Sequence, residues 1–131
     1  MDYLKFAAYD MTVVLDFLCD YFKCTIEELN NYLKEPKAWE KLDEIGFGNR
    51  KNQLNSKYSM VNPLSFFGFS QEPANLLIYE DEDTVEQWYK NEKNVKLKYP
   101  NLVCLWEKFD ESIDLYYPLE IVEIYGEICN K

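Results

Sequence analysis

The sequence predicts an α+β fold, with N-terminal helices packed against a small, mostly antiparallel C-terminal sheet. Three observations support this prediction. Apolar residues recur at helical spacing near the start, two capping-box motifs precede helical stretches, and short apolar runs separated by turn residues dominate the second half. At 131 residues the chain is expected to form a single domain spanning residues 1–131.

The first stretch of the chain has the spacing of one helical face. Apolar side chains recur there at steps of three and four residues, and they are Leu4, Ala8, Met11, Leu15, Leu18 and Phe22. We therefore predict one long helix over residues 3–23. The β-branched character of residues 11–15 leaves a strand possible there.

Two shorter helices are expected next. Thr25 and Glu28 have the spacing of a capping box, in which the hydroxyl and the carboxylate each bind the other residue's backbone amide. Pro36 suits the first turn of a third helix, because its missing N–H would be unpaired there anyway. Gly46 is a typical residue to end that helix.

The middle of the chain is predicted to be a long loop. Residues 46–74 contain three of the four glycines and two of the five prolines. This segment is also the only basic part of the sequence, with the polar run Asn49, Arg50 and Lys51 near its start. Phe66 to Phe69 form an apolar patch that is expected to pack down onto the core.

The second half combines strands with one helix. Residues 75–79 have the composition of a buried strand, and Asp83 to Glu86 have the spacing of a second capping box that begins a helix. Residues 102–109 and 113–117 are predicted to pair as an antiparallel hairpin. From Pro118 onwards, acidic residues at helical spacing and β-branched residues leave helix and strand both open.

The charge of the chain limits its partners. A net charge of -10 disfavours direct contact with nucleic acid or with anionic membranes, because phosphate contacts need cations. It favours a basic protein as the partner. The start has no positively charged segment followed by an apolar one, and no apolar run approaches eighteen residues, so we expect a cytoplasmic protein.

Composition also disfavours most catalytic sites. The chain has no histidine, which removes the usual general base and the commonest metal ligand. Of the four cysteines, only Cys19 and Cys24 are close in sequence, so a zinc site is not expected and the cysteines are interpreted as buried, reduced thiols. We expect no cofactor and no bound metal.

The last quarter of the chain provides the leading functional hypothesis. Carboxylates interleaved with aromatic residues could bind a basic protein, since charges accelerate encounter and aromatic side chains anchor it. The predicted partner-binding residues are Glu107, Asp110, Glu111, Asp114, Tyr116, Glu120 and Glu123. We expect a small, non-catalytic, acidic inhibitor that blocks a basic, nucleic-acid-handling protein, of the toxin-immunity or phage counter-defence type.

Two other functions stay open at this level. Glu80 to Asp83 follow a predicted strand and could hold Mg²⁺ in a carboxylate-dependent hydrolase, using Asp81 and Asp83. The same acids at a helix N-terminus would complement the helix dipole, which is the simpler interpretation. The third possibility is a scaffolding or regulatory subunit, for which a two-fold dimer would be the mark. We expect the protein to be a monomer or a homodimer.

Overall fold

The fold belongs to the α+β class that the sequence predicts. The computed structural model describes the backbone of residues 2–6, 12–48 and 52–130, and the side chains of residues 12–48 and 52–124. Within these residues there are four α-helices and nine β-strands, and every strand pairing is antiparallel.

Strands and helices are interleaved along the chain. In order they are β1 (Asp2–Phe6), β2 (Thr12–Val13), α1 (Val14–Phe22), α2 (Ile26–Tyr32), α3 (Pro36–Glu44), β3 (Asn52–Asn55), β4 (Phe66–Pro73), β5 (Ile78–Glu80), β6 (Asp83–Thr84), α4 (Val85–Lys93), β7 (Val103–Asp110), β8 (Ile113–Pro118) and β9 (Glu123–Asn130). A 3₁₀ helix, Leu119–Ile121, joins the last two strands. In the described part of the chain, no helix is long and apolar enough to cross a membrane.

The strands form three sheets. In the first sheet β9 is central: β1 and β2 pair with it on one edge and β3 on the other. The second sheet has the order β4-β7-β8, and the third is the two-stranded pair β5-β6. The unit made of β5, β6 and α4 lies between β4 and β7 in the sequence, so one chain segment connects it to each of these two strands of the second sheet.

Two apolar cores hold these elements together. The main core joins the three N-terminal helices to the first two sheets, and its largest fully buried side chains include Phe17, Leu18, Leu42, Leu105 and Ile124. A second core lies under α4 and attaches it to the second sheet; its buried members are Ala74, Val85, Tyr89, Leu97 and Cys104. The position of the inserted unit therefore depends on this second, smaller core.

The predictions for the second and third helices are confirmed. Thr25 caps α2, with its side chain accepting from the amide of Glu28 at 3.2 Å while the Glu28 carboxylate accepts from the amide of Thr25 at 3.0 Å. Pro36 lies in the first turn of α3, and Gly46 follows that helix with a φ of 68°, a left-handed conformation that glycine adopts without steric cost.

The prediction of one helix over residues 3–23 is wrong in its first half. Residues 2–6 form β1, and Thr12–Val13 form β2, so α1 begins only at Val14. Both strands pair with β9 at the far end of the sequence. A count of local spacing cannot weigh that pairing, and strand formation depends strongly on such tertiary context. Ala8 and Met11 lie outside the described residues.

The prediction of a long loop over residues 46–74 is also wrong. The polar segment Asn52–Asn55 is β3, which is held by β9, and the aromatic segment begins β4, which is paired with β7. Phe69 packs into the main core as expected, whereas Phe67 stays exposed. Asn49, Arg50 and Lys51 lie outside the described residues.

In the second half, local signals are displaced by one or a few residues. The strand expected to be buried at 75–79 lies at 78–80, and the prediction of its burial is wrong, because Leu76 and Ile78 are exposed. The capping box uses Thr84 and Gln87 instead of Asp83 and Glu86. The hairpin of β7 and β8 is confirmed, with the turn after Asp110. The ambiguous tail is the strand β9.

Asn52 connects the end of α3 to β3. Its side chain is fully buried; Oδ1 accepts from the amide of Gly48 at 2.6 Å, and Nδ2 donates to the carbonyl of Ile45 at 3.0 Å. The side chain thus satisfies one donor and one acceptor of the turn that ends the helix. Buried backbone groups of this kind are costly when left unpaired.

We expect Asn52→Ala to lower the free energy of unfolding by about 1–3 kcal/mol, because the buried carbonyl of Ile45 and the partly buried amide of Gly48 would lose their partner. Chemical denaturation would measure the change. Asn91→Ala, at an exposed position of α4, is the matched control and should stay close to wild type. Equal denaturation midpoints for the two variants would contradict the role assigned to Asn52.

Candidate functional site

A cleft of about 540 Å³ separates the inserted unit from the β7–β8 hairpin. Its walls come from three parts of the chain: the loop that follows β3, the unit of β5, β6 and α4, and the two strands of the hairpin. The volume lies within the range of small-ligand sites. Aromatic rings make up much of the lining, and they are Tyr58, Tyr79, Trp88, Tyr89, Phe109 and Tyr117.

Several of these rings form a continuous aromatic wall. Tyr79 meets Trp88 edge to face with ring centroids 4.9 Å apart, and Trp88 meets Tyr89 at 5.0 Å. Tyr89 in turn meets Tyr58 at 6.0 Å. Edge-to-face contacts of this kind hold aromatic rings in defined orientations. We call these four residues, Tyr58, Tyr79, Trp88 and Tyr89, the aromatic wall.

Carboxylates hold aromatic side chains at and beside the cleft. The indole N–H of Trp88 donates to Glu80 at 2.8 Å, and the hydroxyl of Tyr117 donates to Glu107 at 3.1 Å. Just outside the cleft, the indole N–H of Trp106 donates to Asp114 at 3.0 Å. Charged acceptors make stronger hydrogen bonds than neutral ones. The acids of this region therefore fix the orientation of aromatic rings.

Glu107 is the buried member of this set. It is 6% exposed, and its second oxygen accepts from the amide of Ser65 at 2.8 Å. The carboxylate therefore joins β7 to the segment that precedes β4. A buried carboxylate needs hydrogen-bond donors to offset its lost hydration, and Ser65 and Tyr117 supply one to each oxygen.

Two lysines place positive charge beside the aromatic wall. The ammonium of Lys93 lies 5.7 Å from the ring centroid of Trp88, and that of Lys57 lies 5.2 Å from the ring of Tyr58. Both distances are within the range of cation–π attraction. Both lysine side chains are exposed, so their charges remain available to an anionic ligand at the edge of the cleft.

Burial raises the pKa of three tyrosines of the cleft. Burial raises the pKa of Tyr79 to about 12, and burial also raises the pKa of Tyr89. Burial raises the pKa of Tyr117 as well, and the neighbouring Glu107 charge adds to that increase. The hydroxyl of Tyr89 donates to the carbonyl of Tyr116 at 3.0 Å, which ties α4 to β8.

The predicted partner-binding residues do not form one acidic face. Glu120 accepts from the backbone amides of Lys98 and Tyr99, each at 2.9 Å, so it organises the segment after α4. Asp110 accepts from the amide of Ser112 at 2.7 Å and closes the hairpin turn. Glu107 is buried.

The other four predicted residues are also dispersed. Glu111 is exposed in the hairpin turn, and Glu123 lies on β9 opposite Asn55. Tyr116 stacks beside Trp106 on the hairpin, and Asp114 accepts a hydrogen bond from the indole N–H of Trp106. Of the seven, only Glu107 and Asp114 line the cleft. As partner-binding residues, the seven stay a prediction.

Sequence reasoning did not single out the aromatic wall or its lysines. Tyr58 comes from a segment interpreted as loop, and Tyr79 and Trp88 were assigned only to a strand and to a buried helix face. The available signal was the density of aromatic residues from Tyr79 to Tyr89, which includes three of the four members of the wall. Their convergence with Tyr58 is a tertiary effect.

The predicted alternative metal site has no support in the geometry. The β5–β6 turn exposes three acids, Glu80, Asp81 and Glu82. The carboxylate of Glu80 accepts a hydrogen bond from the indole N–H of Trp88. No three acid or cysteine side chains converge as metal ligands within the part of the chain that the structure describes. Cys19, Cys24 and Cys104 are free thiols, whereas the side chain of Cys129 lies outside the described set.

Comparison with solved structures assigns the fold. The Drosophila Ago PAZ domain, in complex with RNA that is 2′-O-methylated at its 3′ end, superposes with a TM-score of 0.62 and 16% identity over 87% of this chain and 98% of that domain. A structure of the Drosophila Argonaute 2 PAZ domain that addresses 3′-end recognition of nucleic acids gives 0.55 and 20% identity, over 88% and 95% of the two chains.

Another structure of the Drosophila Argonaute2 PAZ domain, described with its nucleic-acid binding, gives a TM-score of 0.57 and 20% identity over 85% of this chain and 96% of that domain. No protein-family model matches the sequence. At these identities the similarity establishes a shared fold, and it extends over nearly the whole of each PAZ domain.

These findings overturn the functional hypothesis drawn from charge. The expectation of an inhibitor or immunity protein, with a basic protein as partner and no direct contact with nucleic acid, is wrong, because the chain shares its fold with domains that bind nucleic acid themselves. Net charge describes the whole surface, whereas binding depends on the local lining of one cleft. Two of the acids that suggested an inhibitor, Glu107 and Glu120, accept hydrogen bonds from other parts of the chain.

The raised tyrosine pKa values predict a loss of stability in alkali. When folding raises the pKa of a group, its contribution to the free energy of unfolding is fully present below the pKa of the unfolded state. That contribution is lost as the pH rises through the pKa of the folded state. For Tyr79 that window extends from its ordinary value of 10.0 to about 12. We expect the free energy of unfolding of Tyr79→Phe to fall less steeply than that of wild type through this window, as followed by urea denaturation at successive pH values. Parallel curves would contradict this assignment.

Proposed function

We propose that the cleft binds the 3′ end of a single nucleic-acid strand, as a binding module without a reaction of its own. The observation that carries this proposal is the aromatic wall, with its flanking lysines, in a fold shared with PAZ domains. The PAZ domain of Drosophila Argonaute 2 is described as recognising 3′ ends of nucleic acids. The chemistry of this chain's own cleft supports the same class of ligand.

Unstacked bases bind well to aromatic side chains. Proteins that hold single strands commonly seat successive bases on aromatic rings, and each such base contributes about 1–3 kcal/mol. Trp88 is partly exposed, with its indole N–H held by Glu80, so its ring is fixed and still reachable from the cleft. A fixed ring loses little conformational entropy when a base stacks on it.

The charge of the chain shapes this binding mode. A net charge of -10 would oppose a long electrostatic contact with a phosphate backbone. Lys93 lines the cleft beside Trp88, and Lys57 lies over the ring of Tyr58. The proposed contact is therefore short, with stacking supplying most of the affinity and few phosphates neutralised.

Exposed apolar side chains at the cleft, among them Phe109 and Met60, extend its stacking and contact surface. Both line the cleft, and both are exposed, Phe109 on the hairpin and Met60 on the loop after β3. Exposed apolar groups that adjoin a concave site commonly mark a binding surface. They support a ligand that enters between the hairpin and the loop.

We expect Trp88→Ala to weaken binding of a short, 5′-labelled single strand by about 5- to 150-fold, the loss of one stacked base. Fluorescence anisotropy would measure the dissociation constant, and Trp88→Phe should retain part of the affinity. Phe67→Ala is the matched control, because Phe67 is an exposed aromatic residue outside the cleft. Equal losses in Trp88→Ala and Phe67→Ala would contradict the assigned site.

A circular single strand of the same composition tests the requirement for an end. We expect the linear strand to bind more tightly than the circle, because only a strand with a terminus can place its last nucleotide in the cleft. Equal affinity for the two ligands would show binding along the strand instead of at its end.

The salt dependence of binding should be shallow. With one or two phosphates neutralised by Lys57 and Lys93, the slope of log affinity against log salt is expected between about -0.7 and -1.4. Titrations in potassium chloride would measure it, and replacing both lysines with methionine should bring the slope close to zero. A slope steeper than about -3 would indicate an extended backbone contact and contradict the proposal.

A further inference from the structure

The charged side chains that line the cleft are mostly acidic. Among the described residues, the lining includes three acids, Glu80, Glu107 and Asp114, and one lysine, Lys93. The hydrogen bonds to these carboxylates come from a backbone amide, two indole N–H groups and a tyrosine hydroxyl, none of which carries a charge. Such donors orient a carboxylate without neutralising it. The cleft therefore combines stacking surfaces with an excess of negative charge.

The carboxylate of Glu80 lies at the edge of the Trp88 ring. Its Oε2 accepts from the indole N–H at 2.8 Å, in a hydrogen bond to a charged acceptor. A hydrogen bond of this kind polarises its donor, so the π face of the indole becomes richer in electrons. Among aromatic side chains, tryptophan attracts cations to its face most strongly. Trp88 is therefore the member of the aromatic wall best suited to bind a positive charge.

The protein itself places a cation over this ring. The ammonium of Lys93 lies 5.7 Å from the ring centroid of Trp88, within the range of cation–π attraction. The Lys93 side chain is exposed at the end of α4. Because it is long and flexible, its ammonium can turn to a phosphate of a bound strand and leave the ring face to the ligand.

We infer that the cleft prefers a terminal nucleotide whose base carries a positive charge, as the N-methylated base of 1-methyladenosine does. This inference rests on the proposed binding of single strands, and it names the class of base that the site selects. The charged base stacks on Trp88 with Glu80 beside it, while Lys93 pairs with a phosphate. Cation–π attraction to an indole corresponds to about 2- to 30-fold in affinity.

The first test uses the wild-type protein and two isomeric ligands. Short, 5′-labelled oligouridine strands would end in 1-methyladenosine, N6-methyladenosine or adenosine, and anisotropy near neutral pH would measure each dissociation constant. N6-methyladenosine is the matched control, because its base has the same atoms and ring system as 1-methyladenosine but no charge. We expect the 1-methyladenosine strand to bind about 2- to 30-fold more tightly than the N6-methyladenosine strand.

The second test removes the charge of Glu80. Glu80→Gln keeps an oxygen that can accept from the indole N–H, so Trp88 stays oriented while the nearby charge is lost. The preference for 1-methyladenosine over N6-methyladenosine should fall by about 3-fold or more, the effect of one charge at close range even in water. Affinity for the adenosine strand should be kept or increased, because a negative charge beside the strand is gone.

Glu82→Gln is the control for this variant. Glu82 is an exposed acid of the same β5–β6 turn, but it does not line the cleft. Both substitutions change the net charge of the protein equally. Glu82→Gln should therefore keep the preference of wild type, since salt screens an exposed charge that lies farther from the ligand.

The outcomes separate the two proposals. Equal binding of the two isomeric strands to wild type would overturn the preference for a charged base and leave single-strand binding intact. A preference that is unchanged in Glu80→Gln would overturn the role of Glu80, and so would an equal loss of affinity for all three strands, which would show that the residue only positions Trp88. Binding of no strand at all would overturn the proposed function, and this inference with it.

Discussion

The cleft depends on the burial of one tyrosine. Tyr89 is 1% exposed, its ring belongs to the small core under α4, and its hydroxyl donates to the carbonyl of Tyr116 on β8. This side chain fixes the distance between the inserted unit and the hairpin strands. The same ring contacts Tyr58 and Trp88, so the residue that builds the cleft also anchors the aromatic wall. Dense packing around a large aromatic ring leaves little freedom for the two sides to shift.

The acidic composition has a structural explanation at several positions. Carboxylates that accept from backbone amides, indoles or hydroxyls hold the loop before β4, the segment after α4 and the rings beside the cleft. Such bonds to an ionised acceptor are stronger than neutral ones, and they orient aromatic side chains that would otherwise rotate. A negative chain can therefore present a site for an anionic strand, provided that the contact is short and that stacking contributes most of the affinity.

Elements defined by neighbouring residues were predictable. The capping box of α2, the proline that begins α3 and the β7–β8 hairpin rest on contacts between residues close in sequence. Elements defined by distant partners were not. Strand β1 pairs with β9, from which it is separated by almost the whole length of the sequence. Strand β3 is a polar segment that becomes a strand only because β9 lies beside it. Strand propensity is weak compared with the effect of such a partner.

The sequence by itself determined the α+β class, the cap that begins α2, the proline that begins α3, the antiparallel hairpin and the lack of histidine. Only the tertiary structure decided which aromatic residues share a cleft and which acids are buried. Tyr58 and Tyr89 are thirty-one positions apart yet their rings lie 6.0 Å from each other. The physical reason is that caps and turns are satisfied by local hydrogen bonds, whereas a binding cleft is made by the long-range packing of separate elements around a common core.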